Sequence, residues 1–381
     1  MTVLQVITSL LTGGAEHIVV QLAERLTARG IHCDICVFDG EDTPFMHEIA
    51  EWNDAHGDLE PIRVYRLGRG FYNLSYIAKL VKIMRGYDIV HTHNSAPQLY
   101  VAIAKKLMVG SEKPLLCTTE HNTSNRKRHW KWYAPVESWM YSQYRHIICI
   151  SDIAERKLRE YMGGKWLDKT SKCYGRITTI NNGVDVENIH KAKPAEDLLG
   201  LKGNRKAIVM VAGFREQKDQ DTLVRAMAHL DKSKYELWLV GIGERQQEVE
   251  NLAKTLGVDD RVRFVGLRMD VPNVLRAADI VVMSSHWEGL SLSNVEGMSA
   301  DKPFIASDVN GLREVTKGYG MLFKEGDDVQ LAEIIDRLCS SPELYKQVSD
   351  RCYQRALQFD INKMVDGYEK VYESLLQKTH S

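Results

Sequence analysis

Two carboxylates, Glu288 and Glu296, stand eight positions apart in the segment 283–298, MSSHWEGLSLSNVEGM. A carboxylate accepts paired hydrogen bonds from neighbouring hydroxyls, so an acid in the loop after a strand suits a sugar. A second acid in the following helix suits a ribose diol. Between them Gly289, Leu290, Ser291 and Ser293 approach a helix start, where backbone N–H groups attract phosphate. Upstream, Arg215 and Lys218 follow a strand pattern ending at Val211 and precede a helical stretch, two cations placed to clamp a diphosphate. Each feature has a plainer reading when taken alone. Glu is common on solvated helix faces, and Arg215 and Lys218 could form surface pairs with Glu216 or Asp219.

The first half carries a second set. Gly13-Gly14 opens a helix directly after the first strand pattern, a phosphate-compatible turn or simply a tight one with glycine at positive φ. Glu16 is compatible with a first-turn helix charge. Two neighbouring strand ends, His91-Thr92-His93 and Thr119-Glu120-His121, deliver histidines to one edge. Histidine there orients a hydroxyl, binds phosphate or ligates metal. Strand alternation turns half of His91, His93, Glu120 and His121 away from one another, so the expectation is a polar substrate role for His121 and no metal.

The elements that must position these residues are short β-branched runs alternating with amphipathic stretches of ten to fifteen residues, which predicts an α/β chain of parallel sheets. Strands are expected at 3–8, 31–38, 62–65, 88–91, 115–119, 146–150 and 177–180, then at 207–211, 236–240, 262–265, 280–283 and 304–307. A polar stretch at 187–205 separates the two series, and the pattern after Val329 is helical only. The division predicted is a first domain of 1–186, with about 360–381 packing back onto it, and a second of 187–359. Residues just after each strand matter most, because ligands of such sheets bind outside the carboxyl edges.

At 381 residues with 44% hydrophobic and 27% charged side chains, the composition is globular and excludes disorder, coiled coil and collagen-like repeats. Net charge −1 excludes a global field for nucleic acid, and no partner of that class is expected. The seven cysteines read as reduced, buried thiols; Cys33 and Cys36 lie on one strand at an odd spacing that sends them to opposite faces. No segment has the apolar length of a membrane span, so the expected location is cytoplasmic. From His121 to Arg176, twelve Lys/Arg face five Asp/Glu, interleaved with Trp130, Trp132, Tyr133, Trp139, Tyr141 and Tyr144. Basic residues with amphipathic aromatics suit an anionic bilayer, so 126–176 is expected to dock peripherally on the inner face of the cell membrane; the alternative is a core role for Trp139 and Tyr141.

Taken in order, these segments resemble the retaining glycosyltransferases of family GT4. The resemblance rests on Gly13-Gly14-Ala15-Glu16, Asp88-Ile89-Val90-His91-Thr92-His93, Thr119-Glu120-His121-Asn122, Ile150-Ser151, Ile180-Asn181-Asn182-Gly183-Val184-Asp185, Lys218, Val265-Gly266 and the Glu288/Glu296 pair. It implies a GT-B fold, two facing Rossmann-like domains with a C-terminal helical tail crossing back to the first. It implies transfer of a sugar from a nucleotide-diphosphate sugar, uridine diphosphate by family frequency, with no cofactor. The acceptor would be a saccharide or lipid-linked saccharide in surface polysaccharide or glycolipid assembly. Glu288 and His121 would serve the sugar, Glu296 the ribose, Lys218 with Arg215 the diphosphate, Gly13 and Gly14 the phosphate or acceptor side, and Arg268 the base loop. The sequence departs from the family at Gly213, where many members carry arginine, and at Ser291, Ser293 and Asn294. A nucleotide-sugar 2-epimerase and a silent nucleotide-sugar-binding protein remain the rival readings, separated by whether nucleoside diphosphate is released.

Overall fold

The structure is a computed structural model describing residues 1–11, 13–110, 113–121, 133–288 and 291–377. The strands are β1 (Thr2–Ile7), β2 (His32–Asp39), β3 (Val64–Gly68), β4 (Ile89–His93), β5 (Leu115–Glu120), β6 (His146–Cys149), β7 (Ile177–Thr179), β8 (Lys206–Val211), β9 (Tyr235–Val240), β10 (Val262–Gly266), β11 (Ile280–Met283), β12 (Phe304–Ser307) and β13 (Met321–Phe323). All twelve expected strands form. One further strand, unmarked in the sequence, precedes the helical stretch after Val329: β13 pairs in parallel with β12 through Ile305–Met321, Ala306–Leu322 and Ser307–Phe323. Three residues are too few for alternation to show in sequence.

The chain divides into two compact units, Met1–Asn182 with Met364–Ser381, and Gly183–Lys363. The first boundary thus falls just before the expected 186/187 division. Each unit is built on one parallel sheet, ordered β3-β2-β1-β4-β5-β6-β7 in the first and β10-β9-β8-β11-β12-β13 in the second. Both orders reverse direction at one point, between β1 and β4 and between β8 and β11. That point is where the loops after the two strands diverge to opposite faces and leave a crevice at the carboxyl edge. The central strands are apolar runs buried on both faces, as in β6 (His-Ile-Ile-Cys) and β11 (Ile-Val-Val-Met), which a sheet covered by helices on both sides requires.

Helix starts follow local chemistry. Ser151 Oγ accepts from Ala154 N at 3.2 Å to cap Asp152–Met162, and Asp219 caps Gln220–His229 from the left-handed region at φ 49°. The C-terminal helix Ile361–Gln377 enters the first unit with Tyr368 and Tyr372 fully buried. Arg29 grips the same helix through Asp366 at 2.7 Å and Glu369 at 2.9 Å. Cys33 and Cys36 are buried on β2, and burial pushes both thiols up to about 12, so the pair is structural. Among the described residues no helix is long and apolar enough to cross a membrane.

Candidate functional site

In the second unit the switch between β8 and β11 brings two loops together. Lys218 ends the turn Glu216–Lys218 after β8, while Ser284, Ser285, His286, Trp287 and Glu288 follow β11. The loops are stitched by backbone and side chain: His286 N donates to Gln217 O at 2.8 Å, Ser284 Oγ to Asp219 O at 2.7 Å, and Gln217 Nε2 to Trp287 O at 2.7 Å. These bonds hold the carboxylate of Glu288 in a set position. Lys218 Nζ lies 2.5 Å from its Oε1, Ser285 Oγ donates to the same oxygen at 2.8 Å, and Gln217 Nε2 reaches Oε2 at 3.3 Å. The Glu288 side chain is 7% exposed and that of Lys218 18%, so the ion pair sits at the rim of the sheet, desolvated but reachable. His286 is in turn tied to Glu325 at 2.7 Å.

Glu296 lies in the helix Leu292–Ser299, downstream of that loop. It accepts no hydrogen bond from any described residue, and burial pushes its carboxyl up to about 7. A carboxyl without a partner in a half-buried place is suited to accept from a ligand hydroxyl. Ser291 is buried at the helix N-cap, and Asn294 turns into the core towards Thr316 and Leu312 O rather than towards a ligand. Gly289 and Leu290 lie outside the described residues. Arg215 is exposed and has no ion pair among the described residues, so its guanidinium is free to meet an anion. Arg268 is different: it is gripped by Asp197 at 2.6 Å and by both oxygens of Asp270 at 2.7 Å. It therefore tethers the loop after β10, on which Leu267 and Met269 stand exposed, instead of presenting a free cation.

Three glycines of this unit went unread in the sequence. Gly241 adopts φ +139°, and a Cβ there or at Gly243 would run into the backbone oxygens of Ala212 and Phe214. The loop after β9 thus lies against the loop after β8, and its signal was the Gly-Ile-Gly triplet following a strand. At Gly297 a Cβ would meet Phe304 Cδ2 at 2.7 Å and Val281 Cγ1 at 2.8 Å, so the residue after Glu296 must be glycine for the helix to seat on the sheet.

In the first unit Gly13 is the N-cap of Gly14–Ala28, extended at φ −170°, and the Glu16 carboxylate folds back over it where a Cβ would stand. Glu16 therefore occupies its own helix start, the first-turn charge reading. The histidines converge on one face of the sheet. His93 Nδ1 lies 2.8 Å from His121 Nε2, His93 Nε2 lies 2.8 Å from Gln5 Oε1, and Gln5 Nε2 donates to Tyr372 Oη at 3.2 Å. Since Gln5 Oε1 can only accept, His93 Nε2 carries the proton; neutral His93 then accepts at Nδ1 from His121 Nε2–H. His121 is left with an unprotonated Nδ1. Burial holds His121 down to about 4 and His93 well below its ordinary value, so this lone pair persists at neutral pH. Glu120 points to the opposite face, where Gln98 at 2.7 Å and Tyr141 at 2.5 Å hold it. Among the described residues no group of three or more His, Cys, Asp or Glu is placed to hold a metal ion.

The bilayer reading of 126–176 is corrected in part. Tyr133, Tyr141 and Tyr144 are buried, and Arg159 is buried on the carbonyls of Trp166, Tyr174 and Ile177. Trp139 alone among the described aromatics in question is exposed; Arg126, Lys127, Arg128, Trp130, Lys131 and Trp132 lie outside the described residues.

Residues 195–355 match the family described as Glycosyl transferases group 1, and residues 12–188 match that described as Glycosyltransferase Family 4. A UDP-Gal:alpha-D-GlcNAc-diphosphoundecaprenol alpha-1,3-galactosyltransferase of Escherichia coli is 27% identical over 79% of this chain and 78% of its own length. An N-acetyl-alpha-D-glucosaminyl L-malate synthase of Bacillus anthracis is 26% identical over 80% of each. The crystal structure of Anabaena HepE in complex with UDP superposes with TM-score 0.79 at 21% identity, covering 98% of this chain and 100% of that one, which establishes the shared GT-B fold.

Proposed function

Because this chain belongs to the group 1, family 4 glycosyltransferases, we propose that it moves a sugar with retention from a UDP-sugar to a saccharide or lipid-linked saccharide in surface polysaccharide or glycolipid assembly. The observation that carries the reading is the Lys218–Glu288 pair at the β8/β11 switch point. An ammonium has three N–H donors, and one is engaged by Glu288, leaving two for the diphosphate oxygens. Glu288 keeps lone pairs for sugar hydroxyls, Glu296 accepts from the ribose, and Arg215 adds a second cation to the diphosphate. His121 Nδ1 accepts from a sugar hydroxyl, and Gly14, exposed beside the Glu16 carboxylate, is assigned to the phosphate or acceptor side.

In the transfer the bond between the anomeric carbon and the phosphate oxygen breaks, its electron pair going to the diphosphate. The acceptor oxygen bonds that carbon from the same face and its proton passes to the departing phosphate. Lys218, preorganised in a partly desolvated site, and the exposed Arg215 stabilise the charge that develops there, so neither cofactor nor metal is required in this reading. The UDP complexes of HepE and the lipid-linked acceptor in the name of the Escherichia coli relative support donor and acceptor class. The exposed Trp139 and the excess of Lys and Arg over Asp and Glu along 121–176 support peripheral attachment to an anionic membrane.

The test is a thermal-shift screen against UDP-, GDP- and ADP-sugars without added metal, followed by assay of nucleoside diphosphate release with lipid-extract acceptors. A shift with UDP-sugars and acceptor-dependent UDP release are expected; donor conversion without release indicates epimerisation, and no shift with any donor overturns the reading.

A further inference from the structure

The first unit carries a second cationic site at the opposite edge of its sheet. A surface groove of about 630 Å³ is lined by Lys105, Arg145, His146, Lys172 and Arg176, with Leu115 and Leu375 as apolar walls and no acidic residue in its lining. Its place in the fold is unambiguous. Leu115 and His146 are the first residues of β5 and β6, Arg176 immediately precedes β7, and Lys105 lies in the last turn of the helix Ser95–Leu107. The groove is thus at the amino edge of the strands, whereas His93, Glu120 and His121 stand at the carboxyl edge.

A lysine near a helix C-terminus complements the helix dipole, and one such residue needs no other explanation. Four cations converging with no carboxylate among the lining residues do. Lys105, Arg145 and Lys172 form no ion pair among the described residues, and Lys105 is held down to about 8 by burial and by the charges of Arg145 and Lys113. Arg176 is anchored beneath them, donating to Tyr141 O at 3.1 Å and to Tyr144 O, while its Nε is buried without a partner. Mutual repulsion of this kind costs stability unless an anion relieves it. Arg145 supplies a planar fork and the lysines compact charges, the combination that suits phosphate oxygens. The one tyrosine of the lining, Tyr144, is fully buried with its hydroxyl donating to Gln98 O at 2.7 Å, so its ring offers no exposed face for a nucleobase to stack on.

We propose that the groove between Lys105, Arg145, Lys172 and Arg176 is an anion site for a phosphate or diphosphate group, separate from the donor site of the second unit. The phosphate can belong to a soluble phosphorylated compound or to an anionic phospholipid headgroup, and two arms distinguish them. Inorganic pyrophosphate is titrated calorimetrically into the full chain, and flotation is measured with phosphatidylglycerol and with phosphatidylcholine vesicles. The exposed pair Arg145→Gln and Lys172→Gln is combined in one variant, with Arg145→Lys as the charge-keeping variant and Lys346→Gln, on the second unit, as control. Binding of at least one of pyrophosphate and phosphatidylglycerol is expected, weakened at least about tenfold in the Arg145/Lys172 double variant and retained in the other two. Pyrophosphate binding assigns a soluble ligand, and binding to phosphatidylglycerol vesicles alone assigns a headgroup. Failure of both probes, or binding that the double variant leaves unchanged, overturns the proposal.

Discussion

Lys218 Nζ lies 2.5 Å from Glu288 Oε1 although 70 positions separate the two residues in the chain. Removing either partner leaves the other partly buried and uncompensated. Lys218→Met and Glu288→Gln are each expected to lower stability, with a coupling of about 0.5–3 kcal/mol in the double-mutant cycle measured by urea unfolding. Lys218→Met is also expected to weaken UDP binding by about 1.5–3 kcal/mol, the usual loss for a charge-assisted contact. Unchanged UDP affinity by calorimetry would remove Lys218 from the donor site.

Burial raises the Glu296 carboxyl from 4.5 to about 7. Its folded pKa exceeds the unfolded one, so the contribution to stability is complete below about pH 4.5 and is lost as pH rises through about 7. Glu296→Gln cannot ionise. It should match the parent near pH 4.5 and exceed its stability by about 1–3 kcal/mol at pH 8. UDP affinity of the parent should rise across the same interval and that of the variant should not; parallel titrations of the two proteins would contradict the ribose role.

The histidine row has the opposite sign. His121 falls from 6.5 to about 4, so its contribution is present above pH 6.5 and is lost as pH falls through 4. Thermal scans should show stability dropping over that window, and His121→Gln should flatten part of the drop. Transfer should show no inflection from His121 near neutrality, while His121→Ala should slow it. A pH–rate step near neutrality that disappears in His121→Gln would refute a neutral imidazole.

Gly297 faces Phe304 and Val281 at distances no Cβ tolerates. Gly297→Ala is expected to cost about 1–3 kcal/mol by overpacking, and Phe304→Leu in the same chain should restore part of it. Equal unfolding midpoints for Gly297→Ala and the parent would show that the helix carrying Glu296 is not pinned to the sheet.

Tyr372 Oη accepts from Gln5 and lies 2.5 Å from His91 Nδ1. Tyr372→Phe leaves His91 Nδ1 unpaired and Gln5 Nε2 with only the weak acceptor Cys33 Sγ, and should cost about 1–3 kcal/mol. Near-native stability in that variant would mean that the C-terminal helix does not organise the histidine row.

The sequence by itself determined the two βα series, the polar stretch between them, the loops that hold Gly13, His121, Lys218 and Glu288, and the helix that holds Glu296. Those signals are local: period-two and period-3.6 patterns, glycines at strand ends, and an acid pair at fixed spacing. Only the tertiary structure decided which loops are neighbours. Strand order puts β11 beside β8, and that placement turns two unremarkable residues, Lys218 and Glu288, into an ion pair. The same holds for the partners the sequence did not mark. Asp197 grips Arg268 from 71 positions away, Gln5 reaches the row of His93 and His121 across the sheet, and the core claims Tyr141 and Tyr144. Side-chain direction and burial follow from packing between distant segments, and periodicity along one segment carries no record of them.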